Sequence, residues 1–565
     1  DTTKIKSMNK IDYIVIIVFS IVIVMAGLAF RKRGSDMKSY FAAGGSVPWS
    51  ISGLSLFMSF FSAGTFVVWG SIAYELGWVA ITIQMAMCLG GFLVAYIMAP
   101  AWRKTNSLTA AEFVRNRLGD RTQKFYTYLI LILSLAYTGA FLYPVAKIVN
   151  VSTGFPITTC VIILGLLILL YTVVGGLWAV IITDVLQFVI LTAAVFIVVI
   201  LSVKSVGGFD NFVQQVPENF FDWTSGEYSW WFIVAFAIYN TIFIGGNWAY
   251  VQRYTSVKDV KSAKKVGLTF GWLYLISPFI WMLPPMIYRV LNPSLAGLEN
   301  EGAYLLICKE VLPVGMLGLM LGGMIFATAS SVNTTLNLAA SVITNDIYKV
   351  LRPKASLKST MNVAKLSTIL FGIGTIIVAL LVPAAGGIVN VVLSIGAVTG
   401  CSLYGPPIWV LFSKRHSGKS ILYISVISLA INIAFKFFAE PVLGAPLSRA
   451  NEMLLGCILP FAFLGTYELY AKFKNIISED YTNYTKLVRV DEAIETSGSD
   501  QNVFGMKVLA VTLMVVGFLV LVLGFLTEEA RALVLSVGGT IIFISLLIHP
   551  SVKIGKGKVS TNNAR

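Results

Sequence analysis

Charged side chains are scarce in this sequence, since Asp, Glu, Lys and Arg make up only 12% of its 565 residues. A soluble globular domain carries about twice that fraction, so water is not the main solvent of this chain. Only two histidines are present, His416 and His549, and both fall at the ends of apolar runs. The five cysteines show neither metal-ligand spacing nor a disulfide framework. A cluster of catalytic acids, bases or metal ligands is therefore not predicted, and neither is an enzyme.

Long apolar runs occupy most of the chain. Hydrophobic residues account for 57% of it, and a helix needs about 20 mainly apolar residues to cross the hydrocarbon core. We find about fifteen such runs and call them spans one to fifteen: 12–30, 46–72, 78–100, 125–151, 157–176, 179–203, 229–251, 266–290, 312–345, 362–382, 386–412, 420–438, 453–473, 507–526 and 531–548. The pattern predicts an all-α polytopic protein embedded in the lipid bilayer.

The net charge of +15 comes from basic residues confined to alternate loops. Lysines and arginines follow the odd-numbered spans, the fifth excepted, whereas the other loops are nearly free of them. Cytoplasmic loops carry this excess, and an odd span count then places the N-terminus outside and the C-terminus in the cytoplasm of the plasma (inner) membrane. The charge thus reflects membrane topology. We predict no nucleic-acid partner and no obligate protein partner.

Two spans contain glycines that favour a break in the helix. Span two has Gly53, Gly64 and Gly70, and span seven has the adjacent pair Gly245 and Gly246. Glycine weakens a helix by roughly 1 kcal/mol relative to alanine, and a break at membrane depth is tolerated where it lines a cavity or binds an ion. Transporters with inverted repeats place such breaks at matching positions of their two halves. Alternatively, these glycines only allow close packing of helices.

The two glycine-rich spans lie five spans apart, which predicts two repeats of opposite membrane orientation. The predicted layout is an extracellular N-terminus with a peripheral first span (1–45), a first inverted repeat (46–203), an extracellular loop (204–228), a second inverted repeat (229–412), peripheral spans twelve to fifteen (413–548) with a cytoplasmic linker (474–506), and a cytoplasmic tail (549–565).

Span nine, with the stretch MIFATASSVNTTLNLAASVITNDIYK, is the most polar span. Ala327, Ser330 and Ser331 stand at positions i, i+3 and i+4, so a carbonyl and two hydroxyls share one helix face. These oxygens suit a small hard cation, and a broken helix opposite them offers bare carbonyls. The alternative for each hydroxyl is a bond to the preceding turn or to a neighbouring helix.

Asp184 is an acidic residue near the start of span six. An ionisable side chain inside a span is costly and usually faces a polar path or a partner. Alternatively, Asp184 lies at the cytoplasmic interface, where water solvates it.

Several stretches of the sequence carry a resemblance to a known family. They are DYIVIIVFS, YFAAGGSVPW, YTVVGGLWAVIITDVLQ, GGNWAYVQR and SSVNTTLNLAASVITNDIY, and the resemblance covers about residues 11–440. Together they resemble the sodium:solute symporter family, which includes bacterial galactose, proline and sialic acid symporters and the human sodium-glucose transporters. The resemblance implies Na+ as the coupling ion. It also implies a LeuT-type five-plus-five inverted repeat, here with one extra N-terminal helix and about four extra C-terminal helices.

The resemblance also implies two sets of sodium ligands. The main site would use the carbonyls of Met58, Phe61 and Ala327 and the hydroxyls of Ser330 and Ser331. Some members bind a second sodium ion, and the matching positions are Asp184, Ser331, Asn333 and Thr334. Asn333 departs from the serine or threonine that is usual at its position.

Solute contacts in the family match Ser62, Thr65, Gln84, Asn240, Phe243, Tyr274 and Leu393. Asn240 matches a sugar-contacting asparagine of the galactose carrier, whereas the arginine that would pair with sialate is absent near 137–139. A carboxylate without a basic partner would be costly to desolvate. An uncharged polar solute therefore fits these positions better, with Phe243 as an inner gate beneath it. Ordinary packing is the alternative role for Phe243.

These features predict a sodium-coupled symporter that imports a small polar solute, such as a monosaccharide, a polyol or a sugar derivative, by alternating access. The alternatives are a sodium symporter for an organic acid or an amino acid, and a symporter-like solute sensor. A sensor would carry a soluble signalling domain after the spans, whereas 474–506 reads as a polar linker and 549–565 as a short basic tail.

Overall fold

The computed structural model describes residues 8–29, 47–107, 109–171, 176–348, 351–488, 499–528 and 530–559. Most of these residues are helical. Extended backbone pairs within this part of the chain only at two isolated bridges, Val47 with Val257 and Ser225 with Tyr228. The predicted all-α class is confirmed.

The α-helices are numbered in chain order. The first twelve are α1 (Lys10–Leu28), α2 (Trp49–Met58), α3 (Gly70–Leu76), α4 (Val79–Leu93), α5 (Ala99–Lys104), α6 (Ala110–Leu118), α7 (Asp120–Thr153), α8 (Ile157–Tyr171), α9 (Gly176–Ser205), α10 (Phe209–Gln215), α11 (Trp230–Gly246) and α12 (Trp248–Thr255). The others are α13 (Val260–Trp281), α14 (Leu283–Leu291), α15 (Ala303–Val311), α16 (Met316–Val342), α17 (Leu357–Leu381), α18 (Ile388–Trp409), α19 (Gly418–Leu443), α20 (Arg449–Phe473), α21 (Glu479–Val488), α22 (Ser499–Leu526) and α23 (Arg531–Val559). Turns of π-helix (Thr65–Trp69, Val94–Met98, Ile343–Tyr348) and of 3-10 helix (Gly297–Gly302, Pro383–Ala385) join or extend them.

Eleven helices in the described ranges are long and apolar enough to cross a membrane, and the bent pair α11–α12 makes a twelfth span. Three shorter apolar helices, Trp49–Met58, Ile157–Leu169 and Met316–Ala329, fall on spans two, five and nine. Each of the fifteen predicted spans therefore has a helical counterpart.

The linker predicted at 474–506 contains a helix of its own, α21. This helix packs on α6, with the Arg117 guanidinium carbon 5.1 Å from the centre of the Tyr481 ring. Contacts of this kind stabilise helices whose composition alone would favour a loop. The next helix, α22, begins at Ser499, before the predicted start of span fourteen.

The first span is tied to span nine through a buried carboxylate. Asp12 Oδ1 accepts hydrogen bonds from the amides of Gly315 (2.8 Å) and Gly318 (3.1 Å), and Oδ2 accepts one from the Asn9 amide (3.0 Å). One carboxylate thus satisfies free amides at the N-termini of both α1 and α16. A Cβ atom on Gly318 would lie 2.2 Å from the Asp12 carbonyl oxygen, so this close approach requires glycine.

Span seven is broken into α11 and α12, which meet at an angle of 61°. Asn247 forms the joint with extended backbone (φ −63°, ψ 125°), and its side chain caps α12 by accepting from the Ala249 amide. The Gly245 carbonyl, freed by the break, accepts instead from Trp102 Nε1 (2.7 Å). Gly245 also packs closely, since a Cβ there would lie 2.1 Å from Met98 Sδ. The break therefore falls one residue after the glycine pair, at Asn247, and the glycines themselves provide the close packing.

Candidate functional site

Span two is interrupted after α2. This helix ends at Met58, a turn (59–60) and a bend (61–62) follow, and helical backbone resumes at residue 63 before the π-helical segment Thr65–Trp69. The Ser62 amide donates to Thr65 Oγ1 (3.3 Å), and that hydroxyl donates to the Phe60 carbonyl. A threonine side chain thus satisfies an amide and a carbonyl that a continuous helix would each pair with a backbone group four residues away, as a break at membrane depth requires.

The break lies against the middle of α16. The Ala63 amide donates to Thr328 Oγ1 (3.3 Å), a contact that joins spans two and nine. Met58, Phe61 and Ala327 are all buried. The structure therefore brings together the two segments that carry the predicted main sodium ligands. The side chains of Ser330, Asn333 and Thr334 lie outside the part of the structure that is described.

A cavity of about 130 Å³ lies beside the break. Among its lining residues are Ser59 from the break, Asp184 from α9, and Ser331 and Thr335 from α16. Aromatic side chains form much of the remaining wall, namely Tyr137, Phe141, Phe243, Trp248, Tyr250 and Tyr404. A largely aromatic wall with a few hydroxyls is typical of sites for small polar organic ligands.

Asp184 is buried and paired inside this cavity. Its Oδ2 atom accepts a hydrogen bond from Ser55 Oγ (2.6 Å) and lies 3.6 Å from Arg253 Nη2. Arg253 Nε donates to the same Ser55 hydroxyl (3.3 Å), so three side chains from α2, α9 and α12 form a closed triangle. Asp184 is 6% exposed and Arg253 5% exposed. The Asp184 carboxylate therefore has a buried partner, and it does not lie at the interface where water would solvate it.

The predicted solute contacts are buried, and one of them, Phe243, lines the cavity. Gln84 and Asn240 are engaged within the protein, because Gln84 Oε1 accepts from Trp281 Nε1 (2.9 Å) and Asn240 Nδ2 donates to a carbonyl one turn earlier (2.8 Å). The Tyr274 hydroxyl is buried without a hydrogen-bond partner in the described residues. Ser62 and Thr65 belong to the break itself.

Phe243 lies at the centre of an aromatic cluster. Its ring stacks on Tyr239 (5.5 Å between centroids) and on Tyr137 (6.1 Å). Its edges meet Tyr250 (5.6 Å) and Tyr404 (5.7 Å). Phe243 is therefore packed on several sides and also forms part of the cavity wall, while its role as a gate remains a prediction.

The segment 292–302, which we call the strap, links three spans. Glu301 Oε2 accepts from the Tyr143 hydroxyl of α7 (2.9 Å), and Oε1 accepts from the Ile388 amide at the start of α18 (2.8 Å). The Tyr74 hydroxyl of α3 donates to a strap carbonyl (2.7 Å). Since Glu301 is itself buried, one carboxylate anchors this loop to the transmembrane bundle.

Arg253, Ser55 and Thr328 were not predicted from the sequence as functional residues. Arg253 belongs to one of the basic loops that the topology already explains, so its charge does not by itself indicate a functional role. A buried Asp184 nevertheless requires a partner, and the motif GGNWAYVQR ends in Arg253 just after a broken span. That combination is the signal that would have found the pair. Thr328 directly follows Ala327 in a span full of hydroxyls, and nothing in the sequence distinguishes it from its neighbours.

Comparison with known proteins gives a consistent result. The profile of the sodium:solute symporter family matches residues 40–427. The sodium/sialic acid symporter SiaT of Proteus mirabilis is 27% identical over 77% of this chain and 92% of its own length. Sodium/glucose cotransporter 1 of Mus musculus is 26% identical over 75% of this chain and 71% of its own. The sodium/glucose cotransporter of Vibrio parahaemolyticus is 27% identical over 76% and 86%.

A solved structure shows the same fold. It is the substrate-bound outward-open state of a Na+-coupled sialic acid symporter, which aligns with a TM-score of 0.67 at 24% identity and covers 82% of this chain and 98% of that chain. The predicted LeuT-type fold is thereby confirmed, and so is Na+ as the ion of the family. Because the family profile spans more than half of the sequence, this chain belongs to the sodium:solute symporter family.

Proposed function

We propose that this protein is a sodium-driven symporter that imports a small uncharged polar solute, such as a monosaccharide, a polyol or a sugar derivative, by alternating access. The main support for an uncharged solute is the charge balance of the cavity. Asp184 and Arg253 are the charged side chains among its described lining residues, and they pair with each other. A carboxylate solute would meet no free cation there, whereas hydroxyls and aromatic faces suit a neutral polar molecule.

The main sodium ion is proposed to bind between the end of α2 and the middle of α16. Its ligands would be the carbonyls of Met58, Phe61 and Ala327 and the hydroxyls of Ser330 and Ser331. Neutral oxygens of this kind suit a small hard cation that has lost its water. The hydrogen bond from Ala63 to Thr328 supports the proposal because it holds the two segments in contact.

Coupling follows from that position. Sodium entering from outside would tie α2 to α16, and the solute would then complete the site before the bundle rocks inward. Moving one charge across about 100 mV supplies roughly 2.3 kcal/mol, and a tenfold sodium gradient adds about 1.4 kcal/mol. One ion per cycle therefore supports about 500-fold accumulation of a neutral solute.

A second sodium ion is proposed at Asp184, with oxygens from Ser331, Asn333 and Thr334. Asp184 and Ser331 line the same cavity, which supports the pairing of these two ligands. In this structure Arg253 already balances the carboxylate, so a second ion would bind only after that pair rearranges. Two ions per cycle would square the accumulation limit.

For topology we propose an extracellular N-terminus, a cytoplasmic C-terminus and the repeats 46–203 and 229–412. Arg103 Nε donates to the Val257 carbonyl (2.8 Å), which supports placing two of the basic loops on one side of the membrane. Labelling of single cysteines introduced at Glu227 and Lys354 in intact cells tests the orientation. The cysteine of Glu227→Cys should react with an impermeant maleimide and that of Lys354→Cys should not, and the reverse pattern would invert the topology.

A thermal-shift panel tests the function. Purified protein is melted with neutral sugars, polyols, sugar acids and amino acids, each in sodium and in potassium buffer. We expect a neutral sugar or polyol to raise the melting temperature in sodium alone, because a ligand that binds only the folded state stabilises it. A larger sodium-dependent shift from a sugar acid or an amino acid would contradict a neutral solute and favour a symporter for an organic acid or an amino acid. A shift that is equal in potassium would contradict sodium coupling and favour a solute sensor.

Ser331→Ala tests the sodium site within the same assay. We expect this variant to lose the melting shift caused by sodium alone, since it removes one of the proposed ligands. Ser536→Ala, on an exposed face of α23, is the matched control and should keep that shift. If both variants respond to sodium like the unaltered protein, Ser331 is not a ligand.

A further inference from the structure

A basic patch lies where α5 and α13 meet at one surface of the bundle. The segments 96–104 and 258–265 contain six basic residues and a single acid, Asp259. Arg103 holds the two segments together, since its Nε donates to the Val257 carbonyl (2.8 Å). This contact brings the two basic segments next to each other.

Two adjacent lysines of α13 lie over exposed aromatic rings of two different elements. Lys264 Nζ is 3.9 Å from the centre of the Tyr96 ring, and Lys265 Nζ is 5.1 Å from that of Trp49. Tyr96 is 61% exposed and Trp49 41% exposed. Exposed Trp and Tyr of membrane proteins concentrate at the level of the lipid headgroups. In the described part of the chain, no carboxylate lies within ion-pair distance of either lysine.

An apolar surface continues from these lysines along the seam between α4 and α13. Trp272 and Ile276 follow Lys265 on the same face of α13, and both are exposed. Leu93 is exposed on α4, and the ring of its neighbour Phe92 meets Trp272 edge to face (5.3 Å). A molecule with an anionic head and apolar chains would match both parts of this surface.

We propose that the patch formed by Lys261, Lys264, Lys265, Tyr96 and Trp49 binds the headgroup of an anionic phospholipid such as phosphatidylglycerol, with its acyl chains along the α4–α13 seam. Charge complementarity selects this class of lipid. A zwitterionic headgroup carries its own cation and gains less from the lysines, whereas each basic residue near the surface contributes about 1 kcal/mol toward an anionic lipid.

The proposed lipid site is coupled to the half of span two that ends at the break. Trp49 is the first residue of α2. One turn later α2 crosses α13 closely, since a Cβ on Gly53 would lie 2.7 Å from Thr269 Cβ. A headgroup held by Lys264 and Lys265 therefore steadies the helix that leads to the proposed ion site.

Lipid titration of the full chain in detergent micelles tests this inference. Dioleoyl phosphatidylglycerol, dioleoyl phosphatidylcholine and inorganic phosphate are each titrated, with binding read by native mass spectrometry and by melting temperature. We expect phosphatidylglycerol alone to bind and to stabilise the protein. The double variant K264Q/K265Q should bind it about 25-fold more weakly, at about fivefold per lysine. The matched control K354Q/K358Q removes two exposed lysines from another basic loop and should bind it normally.

The outcomes separate specific binding from general charge. The variant K264R/K265R keeps the charge and should keep the affinity for phosphatidylglycerol. It shows that weaker binding in K264Q/K265Q comes from the lost charge and not from misfolding caused by substitution at these positions. Equal binding of both lipids would overturn the proposal, and so would equal losses in K264Q/K265Q and K354Q/K358Q. Inorganic phosphate that reproduced the full stabilisation would also overturn it, since the site would then take a free anion rather than a lipid.

Discussion

Replacing Arg253 with methionine would leave the Asp184 carboxylate buried without its cation. Both side chains are buried, so solvent screens their interaction weakly. Breaking a buried ion pair by removing one partner costs about 3–5 kcal/mol, because the remaining charge is left uncompensated. The Ser55 hydroxyl still donates to the carboxylate (2.6 Å). We therefore expect Arg253→Met to lose about 3 kcal/mol of unfolding free energy, at the lower end of that range.

The double variant D184N/R253M provides the internal control. It removes both charges at once, so neither remains unpaired in the bundle. We expect it to be more stable than R253M and more stable than D184N, which leaves the guanidinium without its carboxylate. A coupling energy of this kind arises only when two residues interact.

Unfolding by dodecyl sulfate in mixed micelles, followed through tryptophan fluorescence at constant sodium, measures these differences. The reasoning fails if R253M unfolds at the same detergent fraction as the unaltered protein. It also fails if the losses of D184N and R253M simply add in the double variant, because the two side chains would then act independently.

Two further substitutions test the contact between the first span and α16, and the anchoring of the strap. Gly318→Ala should lower the melting temperature by an amount equivalent to about 1–3 kcal/mol, because its Cβ would meet the Asp12 backbone, whereas Gly539→Ala, with open space around it, should melt normally. Equal melting of the two variants would contradict this. Glu301→Ala should speed hydrogen–deuterium exchange across the strap, since the Tyr143 hydroxyl and a backbone amide lose their acceptor. Unchanged exchange would show that the carboxylate does not anchor the strap.

The transmembrane architecture was predictable because the patterns behind it are local. An apolar run identifies a helix wherever it occurs, independently of how that helix packs. The orientation inferred from the loop charges stays a prediction. The joint of span seven was predicted only approximately, at Gly245 and Gly246, whereas Asn247 forms it by capping α12. Helix α21 was missed because it is stabilised by contacts such as that between Arg117 and Tyr481, which a local pattern does not show.

The site was less predictable because residue type does not reveal what a side chain faces. Gln84 and Asn240 have the chemistry of solute ligands, and the structure adds that both also hydrogen-bond within the protein. Their contact with a solute stays a prediction. Asp184 was recognised because burying an ionisable side chain inside a span is costly. Its partner Arg253 lies in α12, just beyond the predicted end of span seven, where the sequence resembles an ordinary basic loop. Such pairings arise from tertiary structure, and a single sequence carries little record of them.

The contact between Ala63 and Thr328 has a consequence for biogenesis, since it joins residues that are 265 positions apart. Span two enters the bilayer before α16 is synthesised, so the Ala63 amide at first lacks the Thr328 hydroxyl as its acceptor. An unpaired amide is costly in hydrocarbon. The broken helix of the nascent chain therefore has to contact neighbouring spans or the insertion machinery rather than lipid. A lesion in α16 would accordingly reduce the amount of correctly inserted protein as well as its transport rate.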